Sequence, residues 1–379
     1  MKTVLVIQQQ MKQYRLPFFT ALGEALLRDN ICLKVAYSEP RNRDGRNDNC
    51  DLPPELGLKV KSWQMFGERI LWQPLLWDAI AANLVIAEQA NKLVLNYLLV
   101  LLSLVGFRQV AFWGMGEDRC ADKSELSEWV RRHAAKMVNW WFTYTPATAK
   151  FLTSNGVLPD RITIVNNSVD TRSFSESVRN IGDSEIAAVR QQLGIEPGCR
   201  VGLFCGALGA HKGIGFLLDC AQLIREQVPD FHLLVLGSGL ESSKVEAVSK
   251  SCPWVHYVGP KFGPEKALFF KMADIFLLPE GVGLGILDGF AAGLPLITTD
   301  FDHHGPEIEY LESGRNGDDL QRWHAPPDDP LLGRKVIGAN AVLGRLLLRR
   351  VDLAIDSFEQ RIDFVLGKEF VGHGLLDDE

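Results

Sequence analysis

Short apolar segments alternate with segments of helical spacing along most of the 379 residues. In the first half, the strand-like segments are 3–7, 31–38, 58–63, 84–88, 109–113, 141–145 and 162–165. In the second half, they are 201–205, 232–236, 255–258, 273–278 and 294–299. Strands that alternate with helices form mostly parallel, doubly wound sheets with helices on their faces. The chain therefore predicts an α/β architecture.

The length of the chain predicts two domains, because a single hydrophobic core stops growing near about 250 to 300 residues. The serine-rich, charged segment 168–177 is the expected linker, so we place one domain over 1–168 and a second over 169–345. Ligands of such sheets bind beyond the carboxyl ends of the strands. We therefore expect the substrate site in a cleft between the two domains.

The composition is typical of a soluble enzyme, with 46% hydrophobic and 23% charged residues. A net charge of -7 argues against a nucleic-acid partner, which would favour a basic domain or stripe. The seven cysteines contain no C-x-x-C pair and predict reduced thiols. The apolar start of the chain is too short for a signal peptide, and segment 93–107 is too short to span a bilayer. These features predict a cytoplasmic protein with a buried helix at 93–107.

Two carboxylates, Glu280 and Asp288, stand eight positions apart around a glycine-rich turn. The apolar segment before the turn predicts a buried strand, and the segment after it predicts a helix. Free backbone N–H groups and the positive end of the helix dipole could then hold a phosphate. A carboxylate accepts hydrogen bonds from sugar hydroxyls. The segment predicts a nucleotide-sugar clamp, and the alternative is an ordinary tight turn with Asp288 near a helix start.

A second glycine loop, 206–213, follows the first strand of the second half and contains Lys212. A lysine at this position can neutralise a diphosphate leaving group as the donor bond breaks. The alternative is a solvated lysine in an ordinary strand-to-helix loop.

Together these segments resemble the donor domain of retaining GT-B glycosyltransferases of the family-four, E-x7-E type. The resemblance covers 201–317 through the segments 206–213, 236–239, 257–259, 280–295 and 312–317. Three further segments are similar, more loosely, to acceptor-domain segments of bacterial polysaccharide and lipopolysaccharide glycosyltransferases: 10–19, 112–116 and 166–171. The resemblance implies two Rossmann-like domains facing a cleft, a nucleoside-diphosphate sugar on the second, and a final helix in 346–379 that crosses back to the first.

The resemblance also implies roles for individual residues. In that family the first acid of the motif contacts sugar hydroxyls and the second contacts the ribose, which here fall to Glu280 and Asp288. Lys212 falls where the family's phosphate-binding lysine lies. Further donor contacts are expected from Gly206, Ala207, Gly283, Leu284, Gly285, Lys261 and Phe262. No metal or other cofactor is expected.

Three residues depart from the family's pattern. Asp288 is one methylene shorter than the usual glutamate, and Ala207 stands where an arginine usually assists the leaving group. Met115 stands where many relatives carry a histidine near the acceptor. Glu117 or Asp118 is the candidate substitute for that histidine.

Two other residues are candidates for the acceptor side. Glu88 ends a predicted strand, where it either faces the acceptor or caps the following helix. Arg15 either contacts an anionic acceptor or is a solvated surface residue.

Segment 128–141 mixes cations and tryptophans at helical spacing, which suits an anionic membrane surface. The interpretation we favour for that segment is tryptophans in the core and cations facing water.

Two other kinds of site are disfavoured. The segment 237–239 lacks the third glycine of a dinucleotide fingerprint. Asp300 and Asp302 could suggest a metal site, but alternate residues of an extended segment point in opposite directions.

Together these features lead us to expect a retaining glycosyltransferase that transfers a sugar from a nucleotide-sugar donor to a glycan or lipid-linked acceptor, in possible contact with the inner membrane face. The alternatives are an epimerase or hydrolase on the same scaffold and a degenerate binding module.

Overall fold

Two parallel sheets organise the structure, a computed structural model that describes residues 1–39, 49–66, 70–116 and 125–320. Within these ranges the strands are β1 (Lys2–Gln10), β2 (Ile31–Ser38), β3 (Gly57–Val60), β4 (Trp63–Met65), β5 (Ile70–Trp72), β6 (Leu84–Glu88), β7 (Gln109–Gly114), β8 (Trp140–Thr143), β9 (Ile162–Ile164), β10 (Arg200–Cys205), β11 (Phe231–Leu236), β12 (Val255–Gly259), β13 (Ile275–Leu277), β14 (Leu296–Thr299) and β15 (Gly317–Leu320).

The helices connect successive strands of these sheets. They are α1 (Leu16–Arg28), α2 (Leu76–Ala81), α3 (Val94–Leu104), α4 (Glu125–Met137), α5 (Pro146–Ser154), α6 (Thr171–Asn180), α7 (Asp183–Leu193), α8 (Ile214–Gln227), α9 (Ser242–Ser251), α10 (Gly263–Met272) and α11 (Gly285–Ala291). Short 3-10 helices cover Gln13–Arg15, Pro159–Arg161, Ala210–Lys212 and Pro306–Tyr310.

The first sheet has seven parallel strands in the order β3-β2-β1-β6-β7-β8-β9. Strand β1, inside this sheet, is buried on both faces, because Leu5 and Ile7 pack into one hydrophobic cluster and Val4 and Val6 into another. This alternation follows from the two-residue period of a strand and needs helices on both faces of the sheet. The strand order reverses between β1 and β6, which makes this point the switch point of the first sheet.

The second sheet has six parallel strands in the order β12-β11-β10-β13-β14-β15. Numbered within its own domain, this is the order 3-2-1-4-5-6 of a Rossmann sheet. Its core is one cluster around the fully buried Phe204, Leu234 and Phe276. The switch point of this sheet lies between β10 and β13.

The predicted linker is wrong for most of its length, because residues 171–180 form helix α6. Asp170 caps this helix by accepting a hydrogen bond from the backbone N–H of Ser173 at 3.0 Å. Phe174 and Val178, one helical turn apart, are only 8% and 5% exposed and belong to the core of the second sheet. The cap and this apolar pair outweigh the helix-disfavouring serines.

Two predictions for apolar segments are partly right. Helix α3 buries Leu95 and Leu99, whereas Leu101 and Leu104 on its other face are more than half exposed. Of the tryptophans in 128–141, Trp141 is fully buried in β8, but Trp129 on α4 is 57% exposed. No helix within the described ranges is long and apolar enough to cross a membrane. The six cysteines in those ranges form no disulfides.

Candidate functional site

Two glycine loops leave the second sheet at its switch point. Loop 206–213 follows β10, and loop 278–284 follows β13. Because β10 and β13 are adjacent and parallel, both loops emerge from the same edge, formed by the carboxyl ends of the strands. This edge is where doubly wound sheets bind their ligands.

The two loops cross at Glu280 and Lys212, which the sequence predicts as the central residues. The side chain of Glu280 is 7% exposed and lies against Gly213, whose φ of +62° is in the left-handed region. A Cβ atom on Gly213 would stand 2.8 Å from Cδ of Glu280. The ammonium group of Lys212 donates to the carbonyl of Gly281. A Cβ atom on Gly281 would stand 2.7 Å from the carbonyl oxygen of His211. Each loop therefore carries a glycine where the other loop passes.

His304 fixes the loop that carries Glu280, a role that sequence analysis missed. It is 6% exposed, its Nδ1 accepts a hydrogen bond from the Val282 N–H at 3.0 Å, and its Nε2 donates to the Thr299 carbonyl at 2.7 Å. These partners require the neutral imidazole with its proton on Nε2. Thr299 also donates its hydroxyl to the Pro279 carbonyl at 2.6 Å. Because both ring nitrogens of His304 bond to the backbone, the structure gives this histidine a role in loop geometry.

The turn after Glu280 presents backbone donors, as the sequence predicts. Within the described ranges, the N–H groups of Gly283, Leu284 and Gly285 donate to no backbone acceptor. Helix α11, which follows, has only seven residues, so its dipole is short. The capacity of this turn to hold a phosphate therefore depends on its N–H groups and on the nearby ammonium of Lys212.

Asp288 forms an ion pair that sequence analysis did not predict. Its carboxylate lies 2.9 Å from Nζ of Lys266 on α10, and the two side chains are 17% and 20% exposed. Burial raises the pKa of Asp288, while Lys266 lowers it by a smaller amount. Lys266 also lies over the ring of Phe174, 4.6 Å from its centroid. A ribose contact by Asp288 stays a prediction, and in the structure this acid holds α11 to α10.

The segment 237–239 packs against the first glycine loop. A Cβ atom on Gly237 would stand 1.8 Å from the carbonyl oxygen of Gly206, and one on Gly239 would stand 2.4 Å from that of Leu208. These glycines thus allow close backbone contact, which accounts for the motif without a dinucleotide. Ala207 lies on the same loop, between Gly206 and Leu208.

Lys261 and Phe262 follow β12, the outer strand of the second sheet. They lie at the carboxyl edge, but β11 separates their strand from β10. Lys261 pairs with Glu265 at 3.2 Å, and Phe262 is 54% exposed. The structure therefore brings together the residues of the two glycine loops and leaves this pair at the margin of the site.

Glu88 and Arg15 flank the switch point of the first sheet. Glu88 ends β6 and accepts a hydrogen bond from the Gln9 N–H at 2.9 Å. Helix α3 begins with no side-chain cap, so the alternative role of Glu88 as its cap is wrong. Arg15 is not a solvated surface residue, because its guanidinium donates to two tyrosines and lies over Trp113, 4.9 Å from the ring centroid. Glu117, Asp118 and the final helix predicted in 346–379 lie outside the described residues.

The two domains contact each other at the carboxyl edges of both sheets. In the 3-10 helix after β14, Glu309 accepts hydrogen bonds from the Thr145 hydroxyl at 2.6 Å and from the Ala147 N–H at 3.1 Å, at the start of α5. Tyr310 of the same helix donates to the carbonyl of Asn167 at 2.9 Å. Helix α5 follows β8 and the 3-10 helix follows β14, so these contacts join the carboxyl edges of the two sheets. The switch points of both sheets open on the same two edges.

Residues 199–332 match the family described as glycosyl transferases group 1. The matched residues hold the whole second sheet, including both glycine loops. A D-inositol 3-phosphate glycosyltransferase from Pseudarthrobacter chlorophenolicus is 30% identical over 161 residues, which are 40% of this chain and 37% of that protein. The chain thus spans less than half the length of this curated relative.

Solved structures match over much more of the chain. The Anabaena protein Alr3699/HepE in complex with UDP has a TM-score of 0.60 and 16% identity over 85% of this chain and 86% of that chain. The fold is GT-B. WaaG, a glycosyltransferase involved in lipopolysaccharide biosynthesis, has a TM-score of 0.58 and 16% identity over 96% of this chain and 100% of its own. The predicted GT-B fold with two Rossmann-like domains is confirmed, and at these identities the likeness is one of fold.

Proposed function

We propose that the protein is a glycosyltransferase that moves a sugar from a nucleoside diphosphate to a hydroxyl of a glycan or lipid-linked acceptor. The observation that carries this proposal is the crossing of two glycine loops at the second switch point, which holds a buried carboxylate next to a lysine-bearing loop. A carboxylate accepts strong, charge-assisted hydrogen bonds from sugar hydroxyls, and cations and N–H donors stabilise a departing diphosphate. The match of residues 199–332 to group 1 glycosyl transferases supports the same chemistry.

In this proposal Glu280 orients the sugar by accepting hydrogen bonds from its hydroxyls. Lys212 and the N–H groups of 283–285 stabilise the negative charge that develops on the leaving diphosphate. The UDP bound to the Anabaena protein of the same fold supports a nucleoside diphosphate as the donor carrier. We further propose transfer with retention and without a metal, on the resemblance to E-x7-E enzymes. One-dimensional NMR of the product checks retention, because an inverted anomeric proton coupling would contradict it.

The first experiment is a thermal-shift screen with nucleoside diphosphates and their sugars. A ligand at 100 times its Kd stabilises the folded protein by about 2.7 kcal/mol, which a melting curve detects. Binding of one nucleotide identifies the base of the donor. If no nucleoside diphosphate binds, the proposal fails and the chain is a binding module of the same fold.

The second experiment replaces the buried carboxylate with its amide. Glu280→Gln should lower kcat with the identified donor by about 100-fold, because an amide is a weaker acceptor for sugar hydroxyls. The matched control is Glu246→Gln on α9, where the glutamate is 54% exposed and pairs with Lys250 on its own helix. An unchanged kcat in the Glu280 variant would contradict the assignment. Free or altered sugar nucleotide formed without acceptor would instead indicate a hydrolase or epimerase.

We also propose that one face of α4 contacts an anionic lipid surface. Trp129, Arg132, His133 and Lys136 recur at helical spacing and line a groove of about 730 Å³ with the end of α5. Trp129 is 57% exposed, and its ring lies tilted against that of His133, with 4.1 Å between the centroids. Interfacial helices combine such an aromatic residue with cations. The fraction of protein that sediments with phosphatidylglycerol vesicles should be lower for Trp129→Ala than for the wild type, and lower in high salt. Equal binding to neutral vesicles would refute the contact.

A further inference from the structure

Arg15 is a partly buried cation whose partners are all neutral. Its Nε donates to the Tyr14 hydroxyl at 3.2 Å, and its Nη2 donates to the Tyr144 hydroxyl at 3.1 Å. The guanidinium carbon lies 4.9 Å from the ring centroid of Trp113 and 5.5 Å from that of Tyr14. Within the described ranges, no carboxylate forms an ion pair with this arginine. A buried charge in proteins is normally paired with an opposite charge.

The hydrogen bonds of Arg15 leave donors available. A guanidinium has five N–H groups in a planar fork, and the two tyrosines occupy only two of them. The fork is suited to two parallel bonds to a carboxylate or a phosphate. The aromatic faces of Trp113 and Tyr14 hold the plane of the group without taking these donors. The position is therefore preorganised for an oxyanion that the described part of the chain does not supply.

Tyr144 adds a further donor at the same position. Its hydroxyl oxygen accepts from Arg15, so its own proton is left to donate to a bound oxyanion. Burial raises the pKa of Tyr144, and Arg15 lowers it by less, so the phenol keeps this proton at neutral pH. Helix α1, of 13 residues, begins immediately after Arg15 and adds the positive end of its dipole.

We propose that Arg15 and Tyr144 bind an acidic group of the sugar acceptor, a phosphate or a carboxylate. This inference rests on the proposed glycosyltransferase function and names the chemical class of its acceptor. Glu88, across the switch point and close enough to act on the charge of Tyr144, repels an anion and accepts from a hydroxyl. The acceptor is thus oriented with its acidic group on Arg15 and a hydroxyl towards Glu88. An acceptor without an acidic group leaves the guanidinium without its counter-charge.

The test compares three probes that share one sugar ring: glucose, glucuronate and glucose 6-phosphate. Ligand-observed NMR titrations give their Kd values for the protein with and without UDP. One of the acidic probes should bind at least tenfold tighter than glucose, and the carboxylate and phosphate arms show which acid the site prefers. Arg15→Gln should reduce that preference by about 10- to 100-fold, the range for charge-assisted hydrogen bonds. Arg15→Lys, which keeps the charge but loses the fork, should retain part of it.

The matched control is Arg108→Gln. Arg108 is also partly buried and lies over an aromatic ring, 4.4 Å from the centroid of Phe107, but it precedes β7 at the opposite edge of the sheet. It should leave the acid preference unchanged. Equal affinity for all three probes, or an equal loss in both glutamine variants, overturns the inference. UDP affinity, measured in the same samples, should not change in Arg15→Gln, so a protein that binds UDP but shows no acid preference refutes this inference alone.

The opposite result separates the two proposals. An Arg15-dependent preference for the acidic probes in a protein that binds no nucleoside diphosphate keeps the anion site and refutes the proposed function.

Discussion

Replacing Gly213 with alanine should disable the candidate site with only a small loss of stability. A Cβ atom here would stand 2.8 Å from Cδ of Glu280, whereas carbon atoms pack best at about 3.5 to 4.0 Å. The carboxyl group must therefore retreat by about 1 Å. A misplacement of about 1 Å in a reacting constellation costs about 100-fold in rate. We expect a fall in kcat of that size in Gly213→Ala.

A second glycine separates the effect on Glu280 from the backbone strain. Gly213 has φ +62° and ψ +37°, and alanine in this left-handed region costs about 1 to 2 kcal/mol. Gly194, the last-turn cap of α7, has φ +68° and ψ +30°, and a Cβ atom there would meet nothing within 4 Å. Gly194→Ala should thus lose the same stability and keep its kcat.

Urea unfolding and steady-state kinetics with the donor found by thermal shift measure both quantities. Unchanged turnover in Gly213→Ala, with the stability loss seen in both variants, would refute the argument that this glycine positions Glu280.

Two further predictions concern carboxylates, one in the candidate site and one at the contact between the domains. Because burial raises the pKa of Asp288, the folded protein binds this proton more tightly than the unfolded chain, so stability falls as pH rises through the interval between the two pKa values. Urea unfolding at several pH values should show that slope in the wild type and not in Asp288→Asn, and parallel profiles would contradict it. Glu309→Ala removes two hydrogen bonds between the domains and should destabilise their contact by about 1 to 3 kcal/mol, splitting the calorimetric transition in two; a single unchanged transition would count against it.

Most of the fold could be predicted from periodicity, because parallel strands leave a strong local signal. The segments 31–38 and 84–88 match β2 and β6 residue for residue. The error at 168–177 has a local cause, since serines disfavour helices, while the cap at Asp170 and the burial of Phe174 are set by capping geometry and tertiary contacts. Propensity is a weak prior when such contacts oppose it.

Only some residues of the candidate site could be predicted from the sequence. Glu280 and Lys212 stand out because acids and lysines beside glycine turns have a local chemical meaning. Lys266 did not stand out, since its pairing with Asp288 joins two helices separated along the chain, and neither residue carries a local signal for it. His304 did not stand out either, because its partners are backbone atoms that residue spacing alone cannot reveal.

The segment 304–310 makes the candidate donor site and the domain contact parts of one structure. At its start, His304 and Gly305 bond to the two backbone polar groups of Val282, in the loop that carries Glu280. At its end, Glu309 bonds to the first domain at the start of α5. A displacement of Val282 therefore shifts one end of a segment about six residues long whose other end is fixed to the first domain. The loop that carries Glu280 and the contact between the domains are thus linked by one short segment.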